Sequence, residues 1–186
     1  MKHTIAVLSA VCALMFLCGV AAAKSVTVYV SMDAVHAHTG ERGTFYVLDV
    51  SIPEEVSGNK LDSVVLEFAV DASAHTEGDS VVTPVVGVYP VNSEFVANRG
   101  DGPVGTVEAP DFTGIVPSSR PVALGEHHVL RMEITDIVKG WIASPENNHG
   151  LVIGTLTGPD VGTISLNDTL PAASAPIRVT YLYRSE

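Results

Sequence analysis

The sequence is poor in sulfur, in tryptophan and in positive charge. Its two cysteines, Cys12 and Cys18, both fall within the first 23 residues, so a chain that has lost that segment carries neither a disulfide nor a thiolate. One tryptophan, Trp141, with five tyrosines and five phenylalanines, leaves few rings to stack on the apolar face of a sugar. Ten Lys+Arg stand against 21 Asp+Glu, for a net charge of −11. A surface this acidic repels phosphate backbones and anionic lipid, which excludes nucleic acid and anionic membrane as partners. The same charge opposes acidic polysaccharides unless Ca²⁺ bridges the two. Local patterns of catalysis are missing too: there is no Gly-x-Ser-x-Gly elbow, Cys–His pair, His-Glu-x-x-His helix or phosphate-binding Walker loop. The expectation is a protein that is not an enzyme.

What is present begins with an export signal. Met1 to Ala23 has Lys2 and His3, an apolar run from Ile5 to Val20, and the small residues Ala21, Ala22 and Ala23 as a cleavage site. Phe16 and Leu17 before Cys18 are too bulky for a lipoprotein signal. The 186-residue chain less these 23 leaves 163, enough for one domain, Lys24 to Glu186, with a substantial core. Lys2 is the one charge lost, so nine Lys+Arg against 21 Asp+Glu give the exported chain a charge of −12. The expected location is secreted or cell envelope, with no membrane-spanning segment once the signal is cleaved.

The remainder reads as short β-branched runs between turn residues: Val26 to Val30, Thr44 to Val50, Leu61 to Val70, Val82 to Val91, His128 to Ile134, Leu151 to Leu156, Val161 to Leu166 and Ile177 to Tyr183. Alternation places Ile177, Val179, Tyr181 and Tyr183 on one face against Arg178, Thr180 and Arg184, and Val64, Leu66, Phe68 and Val70 against Glu67. Each sheet therefore has one face packed inward, which predicts an all-β, two-sheet antiparallel jelly-roll-like sandwich. One short helix, near 136–143, interrupts it. Ile134, Ile137, Val138, Trp141 and Ile142 recur at helical spacing, Thr135 stands where an N-cap hydroxyl would serve, and Asp136 suits the positive end of the helix dipole. Pro145 stops the helix, and Asn147, Asn148, His149 and Gly150 make a tight reversal through residues tolerant of positive φ. The longest stretch without clear strands is Asn92 to Pro121, with one further strand near Val104 to Val107.

The same segment carries a family likeness. Ile-Thr-Asp-Ile-Val at 134–138, then Trp141, then Asn-Asn-His-Gly-Leu at 147–151, resembles the C-terminal half of the DNRLRE domain, a secreted bacterial jelly-roll-like β-sandwich. Thr135, Asp136, Val138, Trp141, Asn148 and Gly150 are the signature positions. More distantly, the pattern is similar to the TGF-β propeptide fold. Phe45 to Pro53, Leu61 to Val70 and Ala175 to Tyr181 resemble three further strands of the family, so the likeness spans Thr44 to Tyr183. Gly43 to Val50 lacks the Arg-rich run that names the family, and the opening segment is shortened to Ala34 to Gly43. The resemblance implies a non-catalytic extracellular module, with relatives that are carbohydrate-binding modules attached to polysaccharide-degrading enzymes.

Candidate ligand residues follow from chemistry. Tyr29, opposite Val28 and Val30, and Phe45, opposite Tyr46, Leu48 and Val50, are the aromatics expected to point outward, either to contact a glycan or to pack beneath a loop. Arg99 and Asp101 flank Gly100 in an Arg-Gly-Asp turn, a short motif that also arises by coincidence. Asp71, Glu77 and Asp79 offer hard oxygens for a structural Ca²⁺, although no spacing matches a dedicated Ca²⁺ loop. His36 with His38, and His127 with His128, are pairs that would ligate Zn²⁺ or Cu²⁺ with Asp33 or Glu126, but nothing in the sequence brings the pairs together. Two functions remain open: a module whose partner is polysaccharide, or a structural or adhesive protein that meets surface proteins or its own copies through sheet edges.

Overall fold

The computed structural model describes residues 22–31, 34–40, 43–74, 84–92, 118–121, 125–155, 162–166 and 177–185. The expected signal sequence before residue 22, the expected strand at Val104 to Val107 and most of the Asn92 to Pro121 stretch lie outside these residues. Among the described residues there are ten strands: β1 (Ala23–Val30), β2 (Val35–Gly40), β3 (Gly43–Leu48), β4 (Lys60–Ala74), β5 (Val85–Pro90), β6 (Ser118–Pro121), β7 (Gly125–Glu133), β8 (Leu151–Thr155), β9 (Gly162–Leu166) and β10 (Ile177–Arg184). Helix α1 spans Glu54–Ser57, helix α2 spans Thr135–Ala143, and Pro145–Asn147 form a 3₁₀ turn. Among the described residues no helix is long and apolar enough to cross a membrane.

The strands form two antiparallel sheets. The first runs β1-β10-β4-β7, with β9 pairing the far half of β4, and the second runs β2-β3-β8-β5-β6. The pairs β1·β10, β3·β8, β4·β7 and β5·β6 are nested one inside the next, the pattern left when a long antiparallel hairpin is rolled into a jelly roll. The chain is thus the two-sheet sandwich that its alternation predicts. From the first sheet Val64, Leu66, Phe68, Met132, Ile177, Val179 and Tyr181 face Leu48, Val86, Val88, Leu151 and Ile153 of the second, all essentially buried.

Strand β4 is longer than its hydrophobic run suggests. It continues through Asp71 to Ala74, where β9 pairs with it, so Asp71 belongs to a strand and not to the loop expected after Val70. Helix α2 buries Val138 and Trp141 in the main core, as its periodicity requires. Its start differs from expectation: Ile134 is the N-cap and no side chain caps the helix. The Thr135 hydroxyl instead accepts the N–H of Val64 at 2.8 Å. The reversal after the 3₁₀ turn also works differently. Asn148 keeps a negative φ of −82° and serves through its amide, donating to the Val50 carbonyl at 3.0 Å and accepting the Gly150 N–H at 3.3 Å. Among the described glycines positive φ falls to Gly150, at 93°.

Candidate functional site

The outer face of the first sheet is built by strand parity. Wherever Val30, Ile177, Phe68 and Leu130 point into the core, their neighbours Tyr29, Arg178, Glu67 and Arg131 point out. Register then aligns those four. Tyr29 lies opposite Arg178, Arg178 opposite Glu67, and Glu67 opposite Arg131, one row across four strands and roughly 14 Å long at the usual strand spacing. In the next row Thr27 and Thr180 bring their hydroxyls to 3.3 Å.

Two features set this face apart from an ordinary solvated sheet. First, Tyr29, Val129 and Leu182, the large apolar side chains that stay exposed among the described residues at 55, 40 and 39 %, all stand on it. Second, Glu67 is buried, its side chain only 9 % exposed, and its two oxygens are shared by two arginines. Arg178 donates Nη2 to Oε1, and Arg131 Nε lies 3.1 Å from Oε2. Two guanidiniums satisfy both oxygens of this buried carboxylate and are fixed by it in return. One positive charge of the trio is left over. Arg131 is 68 % exposed, and each guanidinium retains N–H donors that Glu67 does not use. At the end of β10, Arg184 grips Asp62 in a fork, Nε to Oδ2 at 2.7 Å and Nη2 to Oδ1 at 2.6 Å, and this contact holds the Asp62 carboxyl below its ordinary pKa. A phenol ring beside two donor-bearing guanidiniums suits a ligand with apolar C–H faces and anionic or hydroxyl oxygens.

Of the residues expected to bind, Tyr29 is exposed as its parity predicts. Phe45 is not. It does face away from Tyr46 and Leu48, but it is buried, 4 % exposed, in a second apolar cluster with Val47, Tyr89, Val91 and Val152 on the outer side of the second sheet. The continuous apolar runs Phe45 to Leu48 and Leu151 to Ile153 carry the signal for that, since strands buried on both faces do not alternate. Arg99, Asp101, Glu77 and Asp79 lie outside the described residues, as does Asp33. Asp71 stands opposite Ser165. His36 and His38 pair with Val47 and Phe45 on β2, and His128 with Val70 on β7; among the described residues no three metal-ligating side chains gather. Of the signature positions, Thr135, Val138 and Trp141 are buried, whereas Asp136 is exposed. Sequence reasoning passed over Glu67, Arg131 and Arg178 as site residues, because only register across 111 positions joins Glu67 to Arg178.

No family model matches the chain, and no curated protein matches it.

Proposed function

We propose that this is a non-catalytic binding module for extracellular polysaccharide, engaging its ligand across the outer face of the first sheet. The observation that carries the reading is the coincidence there of Tyr29, the most exposed aromatic among the described residues, with the Arg178–Glu67–Arg131 trio. The net charge of −11 belongs to the whole chain, whereas this row carries an excess guanidinium, so an anionic glycan fits it without a Ca²⁺ bridge. The resemblance of the 134–151 segment to the DNRLRE domain, and the export signal, point the same way. Retention of the chain from Lys24 onward on anionic and neutral polysaccharide matrices, with Ca²⁺ and with chelator, tests the reading. Retention on an anionic matrix that survives chelation and weakens roughly three- to tenfold on Tyr29→Ala is expected, the scale of one aromatic contact. Absence of retention on every matrix would sink it.

One observation favours a second reading. Strand β1 pairs with β10 over eight consecutive rungs with no bulge, contains no proline, and carries a single charge, Lys24, near its start. Such an edge lacks the devices that usually block strand addition. Association through it would appear as a concentration-dependent sedimentation coefficient without glycan retention.

A further inference from the structure

The first sheet divides into two halves of different charge. Strands β4 and β7 bring Asp62, Glu67 and Glu133 to it among their cations. Strands β1 and β10 bring no carboxylate: Ala23–Val30 and Ile177–Arg184 contain neither Asp nor Glu, in a chain that has 21 such residues. Because Val28, Val30, Ile177, Val179, Tyr181 and Tyr183 belong to the core or pack against it, the residues between them face outward. On β10 these are Arg178, Thr180, Leu182 and Arg184, with Thr27 and Tyr29 beside them on β1. An anionic ligand lying on this strip meets no like charge from either strand.

The strip is cationic at both ends. At one, Arg178 is held by Glu67 and stands opposite Tyr29. At the other, Arg184 is gripped by Asp62 and stands opposite Lys60. The Arg184 hydrogen bond keeps the Asp62 carboxyl low, and the charges of Lys60 and Lys139 add to it, so three cations share one carboxylate at that end. Arg178 and Arg184 are six residues apart on one strand, roughly 20 Å. Between them lie the exposed Leu182 and the Thr27 and Thr180 hydroxyls, which suit the C–H groups and oxygens of a sugar. A ligand crossing the strands from Tyr29 to Arg131 would instead pass over Glu67 and miss Arg184.

We infer that an anionic glycan chain lies along β10, parallel to the strands, anchored by Arg178 with Tyr29 at one end and by Arg184 with Lys60 at the other. This rests on the outer-face reading above, and adds to it a direction, a second anchor and a minimum length. An anionic group is needed at each end of about 20 Å, the reach of an extended tetrasaccharide. Sulfate and carboxylate both suit guanidinium donors, so sulfated and uronate chains are probed separately.

The test is calorimetric titration of the chain from Lys24 onward with size-fractionated heparin and with oligogalacturonates, from disaccharide to octasaccharide. In at least one series affinity should rise roughly tenfold or more between disaccharide and hexasaccharide, as the second anchor comes within reach. Arg184→Gln should lower hexasaccharide affinity roughly five- to tenfold and flatten the dependence on length. Thr180→Glu, which sets a carboxylate midway along the strip, should do at least as much. Arg131→Gln should cost about twofold at most, since a screened charge beside the path acts weakly. Arg120→Gln removes the same charge from β6 of the second sheet and should change nothing. Circular dichroism checks that each variant is folded. Affinity that does not grow with length, or that falls more with Arg131→Gln than with Arg184→Gln and Thr180→Glu, would overturn the lengthwise path and leave a ligand crossing the strands. Equal losses from Arg184→Gln and Arg120→Gln would reduce the effect to overall charge and overturn it too. No binding of any oligosaccharide also overturns the inference, and absence of polysaccharide retention beside it would reject the outer-face reading as well.

Discussion

Ile134 donates its N–H to the Val64 carbonyl at 2.9 Å, as a strand residue would, yet its own carbonyl accepts the Val138 N–H at 3.1 Å and opens helix α2. That switch takes away the acceptor that antiparallel pairing would have given the Val64 N–H. The Thr135 hydroxyl replaces it, accepting from Val64 at 2.8 Å and donating to Glu133 Oε1 at 3.0 Å. Because Val64 is fully buried between β10 and β7, its N–H has no water to turn to. Thr135→Val keeps the shape and removes the acceptor, so it should cost about 1–3 kcal/mol, the penalty of an unsatisfied buried donor. Thr135→Ser should retain most of that stability. Urea unfolding of the two variants beside the parent decides the matter, and equal midpoints for Val and Ser would show that the hydroxyl does nothing. The sequence marked Thr135 as special for a local reason, a helix cap, whereas the bond it makes spans 71 positions.

At the level of elements, legibility followed burial. Strands β4 and β10 alternate because one face meets the core and the other meets solvent, and both were readable, as were α2 and its buried Trp141. Strands β2 and β6 were not, because Val-His-Ala-His-Thr-Gly and Ser-Ser-Arg-Pro are the polar edges of the second sheet and bring little apolar pattern to it. The proposed site was readable only in part: Tyr29 follows from parity, but its neighbours Arg178, Glu67 and Arg131 arrive through register. The turn between α2 and β8 was legible for a reason the structure sharpens. Gly150 has φ 93°, and a Cβ there would stand 2.4 Å from the Leu48 carbonyl oxygen, since β8 begins directly against the end of β3. Gly150→Ala therefore meets both backbone strain, on the order of 1–3 kcal/mol, and a clash with main chain that cannot swing aside. A loss of at least about 2 kcal/mol in chemical denaturation is expected. A variant as stable as the parent would mean that the turn has another accessible conformation.

Across the whole molecule, two tyrosines tie the layers together from opposite sides. Tyr46 of the second sheet donates its hydroxyl to the Ile164 carbonyl in β9 of the first, at 3.3 Å. Tyr181 of the first donates to the Ser51 carbonyl, just beyond β3 of the second, at 2.8 Å. Burial raises the pKa of both, and of Tyr89 in the outer cluster; for Tyr46 the Leu166 backbone opposes the shift without cancelling it. The neutral phenol is the form the fold holds, so the sign is fixed. Stability is unaffected below the ordinary tyrosine pKa of about 10 and falls above it, where the unfolded chain releases protons that the native one keeps. The loss is largest for Tyr181, whose hydroxyl is shifted furthest, and ionisation adds to a net charge already at −11. In an alkaline titration, the tyrosinate absorbance of these three should therefore rise together with the loss of β-sheet circular dichroism, in one cooperative step. All five tyrosines ionising while the dichroism stays native would show that water reaches these hydroxyls in the folded state, and that the two layers are not sealed where Tyr46 and Tyr181 cross between them.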